Sequence, residues 1–289
     1  MEIKVKPKKK ESPWKDVWRR FRKNGAAMIG LVVIALLVFT AIFADLIARE
    51  DPIAQDLNKT FSPPASQNLM GTDNFGRDIF SRVVHGTRTS LRIGFTAVGV
   101  GLTIGLILGS LSGFYGGNLD NVLMRFIDVL ISIPGILLAI AIVAALGPGM
   151  VNLMIAVGLG SIPGYTRITR AAVLTIRERE FIEAARAIGA SDFRIITRHI
   201  LPNCLAPIIV QATLGLSGAI LSAAGLSFIG LGIQAPTPEW GYMLSDGRRF
   251  IRDHWHMVTF PGLAIVTVVL AINMVGDGLR DALDPKLKK

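Results

Sequence analysis

The side chains of this sequence that could bind a metal, act as a nucleophile or hold a phosphate are few and scattered. His254 and His256 flank Trp255 and could supply two imidazole ligands, but no carboxylate or third histidine stands at ligand spacing. The single cysteine, Cys204, has no partner for an intrachain disulfide, and we interpret it as a small buried hydrophobe. No Gly-Lys dipeptide occurs, so the phosphate-binding loop G-x-x-x-x-G-K-[ST] is absent. We therefore predict no catalytic residue, no metal site and no cofactor in this chain.

The most informative segment is polar and lies between two apolar stretches of membrane length. It covers residues 180–203 and reads EFIEAARAIGASDFRIITRHILPN. Gly189 is expected to adopt the left-handed conformation that ends its first helix. Ser191 and Asp192 then cap a second short helix, which Pro202 ends. The segment is therefore predicted to be a helical hairpin held against a membrane, whose small side chains let another protein approach closely. One apolar stripe at helical spacing comprises Phe181, Ala184, Ala185 and Ile188.

The composition indicates a chain that resides in a bilayer. Of its 289 residues 51% are hydrophobic, the mean hydropathy is +0.50, and the charged residues are gathered in clusters. Six apolar stretches are long enough to cross about 30 Å of hydrocarbon. The sequence thus predicts an all-α, multi-pass membrane protein with six transmembrane helices. The stretches cover about residues 26–48, 93–115, 129–147, 151–173, 206–232 and 258–277.

The distribution of lysine and arginine predicts how these helices are oriented. With the N-terminus in the cytoplasm, the inside segments hold 22 of the 31 basic residues, and one of the outside loops is long. Both termini and residues 180–203 are therefore predicted on the cytoplasmic side. The net charge of +10 then reflects this topology and contact with anionic lipid, and it gives no reason to expect a nucleic-acid partner.

The N-terminal arm, residues 1–25, is predicted to form an amphipathic helix in the cytoplasmic interface of the membrane. Basic residues surround one apolar face, and tryptophan is favoured at the level of the lipid headgroups. The apolar face comprises Trp14, Val17, Trp18 and Phe21.

Small residues in two of the stretches predict close contacts between helices. Glycine recurs at every fourth position of the second stretch, and in lipid such a ladder lets two helices approach closely. A small-residue patch in the fifth stretch has two interpretations, which the sequence leaves open: a flank of a translocation path, or a second packing seam. The glycines are Gly101, Gly105, Gly109 and Gly113, and the candidate path residues are Ser217, Ser222 and Ser227.

Ionisable side chains lie at the ends of the predicted spans, as Asp45, Asp128 and Asp277 do. Carriers driven by protons or sodium usually bury carboxylates or other polar groups along the ion path. A stand-alone ion-coupled carrier is therefore disfavoured. A membrane-embedded enzyme is disfavoured as well, because no catalytic constellation is present.

The segment 180–203 resembles the EAA loop of permease subunits of ATP-binding-cassette (ABC) importers, whose pattern is E-A-A, three residues, G, nine residues, then I-x-L-P. His199 stands where that pattern has isoleucine, and Ile200 adjoins it. The resemblance implies that residues 175–204 dock into a groove on a cytoplasmic ATPase. A surface helical hairpin and a DNA-reading helix-turn-helix are the alternatives, and the membrane-length flanks disfavour both. The matching residues are Glu183, Ala184, Ala185, Gly189, Leu201 and Pro202.

Three further strings resemble the second, or C-type, permease of dipeptide, oligopeptide and nickel importers. They are GTDNFGRDIFSRVVHGTRTSLRIG at 71–94, FIGLGIQAPTPEWGYML at 228–244 and MVGDGLRDALDP at 274–285. Ala235 replaces a proline expected in the second string. Residues of that string are candidate contacts for an extracytoplasmic binding protein, while closure of an outer vestibule and a loop packed on itself remain alternatives. These candidates are Pro238, Trp240 and Gly241.

The resemblance implies a type I ABC importer permease with the MetI-like fold, in a bacterial or archaeal cytoplasmic membrane. Its five-helix core would cover residues 93–280, preceded by a first transmembrane helix at 26–48 and an extracytoplasmic loop at 49–92, and followed by a cytoplasmic tail at 281–289.

The implied partners are a second, homologous permease, two ABC ATPase subunits that bind ATP and Mg²⁺, and an extracytoplasmic substrate-binding protein. Cargo would cross by alternating access. Di- or oligopeptides are the expected cargo, and nickel or another small solute is the alternative.

Overall fold

The computed structural model describes residues 13–284, and every regular element in that range is helical. Residues 1–12 of the predicted arm and residues 285–289 of the predicted tail lie outside the described range. Short 3-10 turns lie at Leu57–Lys59 and Arg248–Phe250, and a π-helical turn lies at Ile196–Ile200. The helices are α1 (Pro13–Phe21), α2 (Gly25–Ile42), α3 (Ala44–Ile47), α4 (Ile79–Tyr115), α5 (Gly117–Ser132), α6 (Gly135–Leu146), α7 (Met150–Arg177), α8 (Glu180–Ala187), α9 (Asp192–Ile195), α10 (Leu201–Phe228), α11 (Trp240–Gly247) and α12 (His256–Leu283).

Within residues 13–284, four stretches of helix are long and apolar enough to cross a membrane: α2, α4, the continuous run Asp192–Phe228 and α12. A fifth crossing results if α5 and α6, which meet at an angle of 88°, are counted as one broken span. α7 covers the predicted stretch 151–173 but is not among these candidates. The all-helical fold is confirmed for the described residues, whereas the number of six spans stays a prediction.

The third predicted stretch, residues 129–147, is not one helix, because Pro134 breaks it. Ile133 is extended, with φ −93° and ψ 123°, and Pro134 precedes α6 with φ −52° and ψ 127°. Proline has no backbone N–H to donate, and its ring disfavours the α conformation at the residue before it. The prediction of a single continuous span here is therefore wrong.

The second predicted stretch continues into the region that the sequence assigned to a loop. α4 begins at Ile79, not near residue 93, because the carboxylate of Asp78 caps it and accepts a hydrogen bond from the backbone N–H of Ser81 at 2.8 Å. Residues 79–92 of the predicted loop 49–92 are therefore helical.

The main apolar core lies between α4, α7, α10 and α12, and its closest contact joins α4 to α7. A Cβ atom placed on Gly105 would lie 2.5 Å from Cβ of Tyr165, and one placed on Gly109 would lie 2.5 Å from the carbonyl oxygen of Thr166. Both distances are shorter than real Cβ contacts, so only glycine allows this approach of the two helices. The outer members of the ladder, Gly101 and Gly113, likewise face α7, at Ser161 and Val173.

α1 and α2 pack on the outside of this bundle, against α12. Phe21 and Ala27 are buried beside Gly278, which belongs to α12. Trp14 and Trp18 of α1 remain exposed. The predicted apolar face of the arm is therefore divided, because Phe21 belongs to the core and the two tryptophans lie on the surface.

Candidate functional site

The hairpin at residues 180–203 buries a different face from the stripe that its sequence suggested. Ile182 and Ala185 of α8 are buried, and they pack in a small core with Ile195 and Ile200. The other members of the predicted stripe remain on the surface. Ala185 thus belongs to the interior, and the exposed apolar side chains form a second, adjacent face. These exposed side chains are Phe181 (44% exposed), Ala184 and Ile188 (85% exposed).

Gly189 ends α8 in the left-handed conformation that its position predicted. Its φ is +79°, and the backbone N–H of Ala190 donates to the carbonyl of Ala185 at 3.0 Å, as in a Schellman turn. No atom lies within 4 Å of a Cβ placed on Gly189. Backbone conformation, and not lack of space, therefore accounts for glycine here.

The second half of the hairpin differs from the prediction, because Pro202 does not end a helix. The chain runs from α9 through the π-helical turn into α10 without a break, and Pro202 lies in the first turn of α10. Proline has no N–H to donate, and here it directly follows the π-helical turn, where the N–H of Leu201 bonds to the carbonyl of Ile196 and the regular i→i−4 pattern is already interrupted. Ser191 caps α9 only through its carbonyl, which accepts from the N–H of Ile195 at 2.9 Å. The hairpin is thus continuous with a membrane-length helix.

Polar contacts hold this end of the bundle together below the hairpin. Arg170 of α7 donates from Nε and Nη2 to the two carboxylate oxygens of Asp120 in α5, at 2.7 and 2.6 Å. Arg177 donates to the carbonyl of Gly113 at 2.9 Å, and the guanidinium of Arg186 lies over the ring of Phe114. α8 therefore packs on the ends of α4 and α7, and α7 is bonded in turn to α5.

At the opposite end of the bundle, buried charged side chains join the loop before α4 to the helices. Arg77 bonds to Asp73 at 2.6 Å and to Asp246 of α11 at 3.1 Å, while Arg82 donates to the carbonyl of Pro52 at 2.8 Å. Burial raises the pKa of the Asp246 carboxyl, and the charge of Arg77 opposes that rise. These bonds fasten the loop 49–78 to α4 and α11.

The three candidate contacts for a binding protein are buried in the described structure. Trp240 is fully buried and donates from Nε1 to the carbonyl of Val83 at 3.0 Å. Gly241 packs on the backbone of Ala224, and Pro238 is also buried. A direct contact with another protein does not fit this burial, and the alternative of a loop packed on itself does. Burial raises the pKa of the neighbouring Glu239 carboxyl, which accepts from the N–H groups of Gly241 and Tyr242 and so caps α11.

The three candidate path serines lie on different faces of α10. Ser222 is exposed and lines a groove of about 280 Å³ between α6, α7 and α10. Ser217 bonds to Asn273 of α12 at 2.7 Å, and Ser227 is fully buried. Of the three serines, Ser222 is the one that lines this groove.

The two histidines around Trp255 have separate neighbours. His254 stacks on Phe61 with ring centroids 4.2 Å apart, and Nε2 of His256 lies 3.1 Å from the carbonyl oxygen of Thr72. Both rings are engaged in packing the loop 49–78 against the start of α12. Cys204 is buried in the core of the hairpin.

Comparison with known proteins places these features in one family. Residues 101–289 match the model of the binding-protein-dependent transport system inner membrane component, and residues 12–64 match the N-terminal TM domain of oligopeptide transport permease C. The dipeptide transport system permease protein DppC of Alkalihalophilus pseudofirmus is 50% identical over 277 residues, which are 96% of this chain and 91% of that protein. The di/tripeptide permease DppC of Pseudomonas aeruginosa is 48% identical, covering 96% of this chain and 93% of that protein.

Two further comparisons bear on cargo and fold. The glutathione transport system permease protein GsiD of Escherichia coli is 49% identical over 98% of this chain and 94% of its own length. The permease fold is that of a chain in the inward-facing MetNI methionine ABC transporter, with a TM-score of 0.57, 22% identity, and coverage of 70% of this chain and 96% of that one. The family resemblance inferred from the motifs is confirmed. The chain belongs to the family of binding-protein-dependent transport system inner membrane components, as a multi-pass, C-type permease subunit of an ABC importer.

Proposed function

We propose that this permease moves di- or oligopeptides that an extracytoplasmic binding protein delivers. The observation that carries the proposal is similarity over nearly the full chain to permeases named for dipeptides and di/tripeptides, at 50%, 48% and 45% identity. A relative named for glutathione, itself a tripeptide, is similar to the same degree and favours small peptides as a class.

The hairpin is the proposed site of coupling to the ATPase. Its exposed face of Phe181, Ala184 and Ile188, with Glu183 beside it, would fill the groove of an ABC ATPase. Gly189 fixes the angle between α8 and α9. Leu201 and Pro202 lie where the hairpin passes into α10, so a displacement of α8 would be transmitted to a helix that spans the membrane.

ATP and Mg²⁺ would be held by two such ATPase subunits, and this chain would contribute no catalytic group. A second, homologous permease would complete the path, and the apolar side chains that α5 and α6 expose suit that interface. Three of these are Val122, Phe126 and Ile136.

The groove at Ser222 would flank the translocation path. Because Trp240 is buried, the candidates for contact with the binding protein would instead be the exposed outer residues Leu57, Ile251 and Trp255.

The proposed orientation has both termini and the hairpin in the cytoplasm. The six predicted spans would then cross the membrane with α5 and α6 as one broken crossing. The arm would lie on anionic lipid with Trp14 and Trp18 at the headgroups, a placement supported by their exposure on α1. The permease core would begin with α4 and end with α12, whose last residues, 281–283, belong to the segment predicted as the tail.

Cargo is tested by uptake into proteoliposomes that contain the complete importer and its binding protein. A labelled dipeptide should accumulate in an ATP-dependent manner, and unlabelled dipeptide or glutathione should compete in proportion to its affinity. Nickel should neither accumulate nor compete. Uptake of nickel or another small solute, with no uptake of peptide, would overturn the proposed cargo and leave the assignment as a permease intact.

A further inference from the structure

An apolar groove of about 360 Å³ lies between α2, α4, α10 and α12, beside the contact that α2 makes with α12. The hydroxyl of Thr213 is the one polar side-chain group on its walls, and it already donates to the carbonyl of Ile209 at 2.9 Å. The groove therefore offers hydrocarbon contact and no free hydrogen-bond donor. Phe95 lies at its edge and is 54% exposed, so the groove opens toward the outside of the bundle. Its walls include Leu37 and Val38 of α2, Leu91 and Phe95 of α4, Thr213 of α10 and Val268 of α12.

An exposed arginine, Arg92, adjoins the residues of α4 that line this groove. Arg92 lies one residue after Leu91 and three before Phe95, at the point where the apolar stretch of α4 begins. Its side chain is exposed, and within residues 13–284 it makes neither an ion pair nor a side-chain hydrogen bond. A guanidinium at the edge of the hydrocarbon is costly without an anionic partner, and its fork of donors matches a phosphate.

The neighbouring charges leave Arg92 available. Arg88, one turn earlier on α4, is committed to the end of α2: it donates to the carbonyls of Ala41 and Ile42 at 2.8 and 3.1 Å and to the carboxylate of Asp45 at 3.1 Å. The charges of Arg88 and Asp45 therefore pair with each other. The net positive charge beside the groove is that of Arg92.

We propose that the groove and Arg92 form a binding site for a membrane glycerophospholipid. One acyl chain lies in the groove between α2 and α4, and the phosphate accepts hydrogen bonds from the Arg92 guanidinium. The bound lipid fills the space between α2 and the bundle that protein side chains leave open. An acyl chain suits an apolar groove that opens into a bilayer, and the phosphate supplies the missing charge.

The site is tested on the assembled importer, purified in detergent, stripped of lipid and titrated with palmitoyl-oleoyl phosphatidylglycerol under native mass spectrometry. Arg92→Gln should raise the dissociation constant of the tightest-bound phosphatidylglycerol about 5-fold, since one cation near the membrane surface is lost. Thr213→Phe should abolish that event by filling the groove. Arg252→Gln, an exposed arginine on the loop before α12, is the matched control and should leave it unchanged. Inorganic phosphate should not displace the lipid, because it has no chain.

The inference is overturned if Arg92→Gln and Thr213→Phe both bind phosphatidylglycerol as the wild type does. It is also overturned if Arg92→Gln releases the partner permease while lipid binding is unchanged, since Arg92 would then pair with a carboxylate of that protein. If Arg92→Gln does not assemble, Thr213→Phe decides alone: retention of the event contradicts the site, and its loss supports it. Peptide uptake, measured in parallel, tests the proposed function separately.

Discussion

Gly189 is the residue on which the shape of the hairpin depends most directly. Its φ of +79° is a conformation that residues with a Cβ rarely adopt, and the space around it is open. A substitution there changes the angle between α8 and α9 without creating a clash. The effect of such a substitution should therefore appear in coupling to the ATPase and not in insertion of the membrane helices.

Gly189→Val should insert and assemble but lose most of its ATP-driven uptake. The left-handed conformation costs a residue with a Cβ about 1–2 kcal/mol, and β-branching adds to that cost. Gly189→Asn is the control, because asparagine tolerates this conformation and should retain uptake. The measurement is peptide uptake in proteoliposomes, normalised to the amount of assembled complex. Uptake at the wild-type level with valine would show that the turn does not matter for coupling.

The glycine ladder of α4 allows an equally direct comparison within one helix. Gly105→Leu should insert normally, since leucine is favourable in lipid, but should lower stability by about 1–3 kcal/mol through overpacking against Tyr165. Gly99→Leu is the control, because no atom lies within 4 Å of a Cβ at that position. Thermal unfolding in detergent distinguishes the two variants. Equal melting temperatures would mean that α4 and α7 do not pack as described.

At the scale of elements, the sequence predicted that the glycine stretch in α4 makes a close helix contact and where α8 ends, because glycine spacing and left-handed turns are local properties. It did not predict that the partner of α4 is α7. It could not predict which face of α8 is buried. Phe181 and Ile182 are adjacent, and either can start an apolar stripe that includes Ala185. The ambiguity is physical, since α8 has one apolar face for its own core and another on the surface. The continuity through Pro202 was missed because a π-helical turn has no sequence signal as clear as a proline.

Two ion pairs between α5 and α7 should differ in their contribution to stability. Asp120–Arg170 is largely shielded, with side chains 15% and 32% exposed, whereas Asp128–Arg167 has side chains 49% and 52% exposed. A double-mutant cycle should give a coupling energy of about 1 kcal/mol or more for the first pair and about 0–0.5 kcal/mol for the second. The cycles are measured by unfolding of the purified complex. Equal coupling energies would indicate that solvent screens both pairs alike.

At the scale of the whole molecule, the chain is one subunit of an ABC importer, and its activity should depend on the other subunits. Reconstituted alone, it should show neither uptake nor ATP hydrolysis. Cargo-stimulated hydrolysis should appear only with two ATPase subunits, a second permease and a loaded binding protein. The measurement is phosphate release from proteoliposomes of each composition. Accumulation of cargo by this chain alone in a proton or sodium gradient would instead indicate an ion-coupled carrier.

The unbroken helical run from Asp192 to Phe228 has a mechanical consequence. At 37 residues it is about 55 Å long, more than the thickness of the hydrocarbon. At the C-terminal end of this run, Ser245 of α11 donates a hydrogen bond to the carbonyl of Phe228 at 2.7 Å, so α11 is attached to the same helix. A tilt of a few degrees imposed at the hairpin is thus amplified into a displacement of several ångströms at α11, as a long lever amplifies a small rotation. Opening on one side of the membrane and closing on the other would then be a single motion.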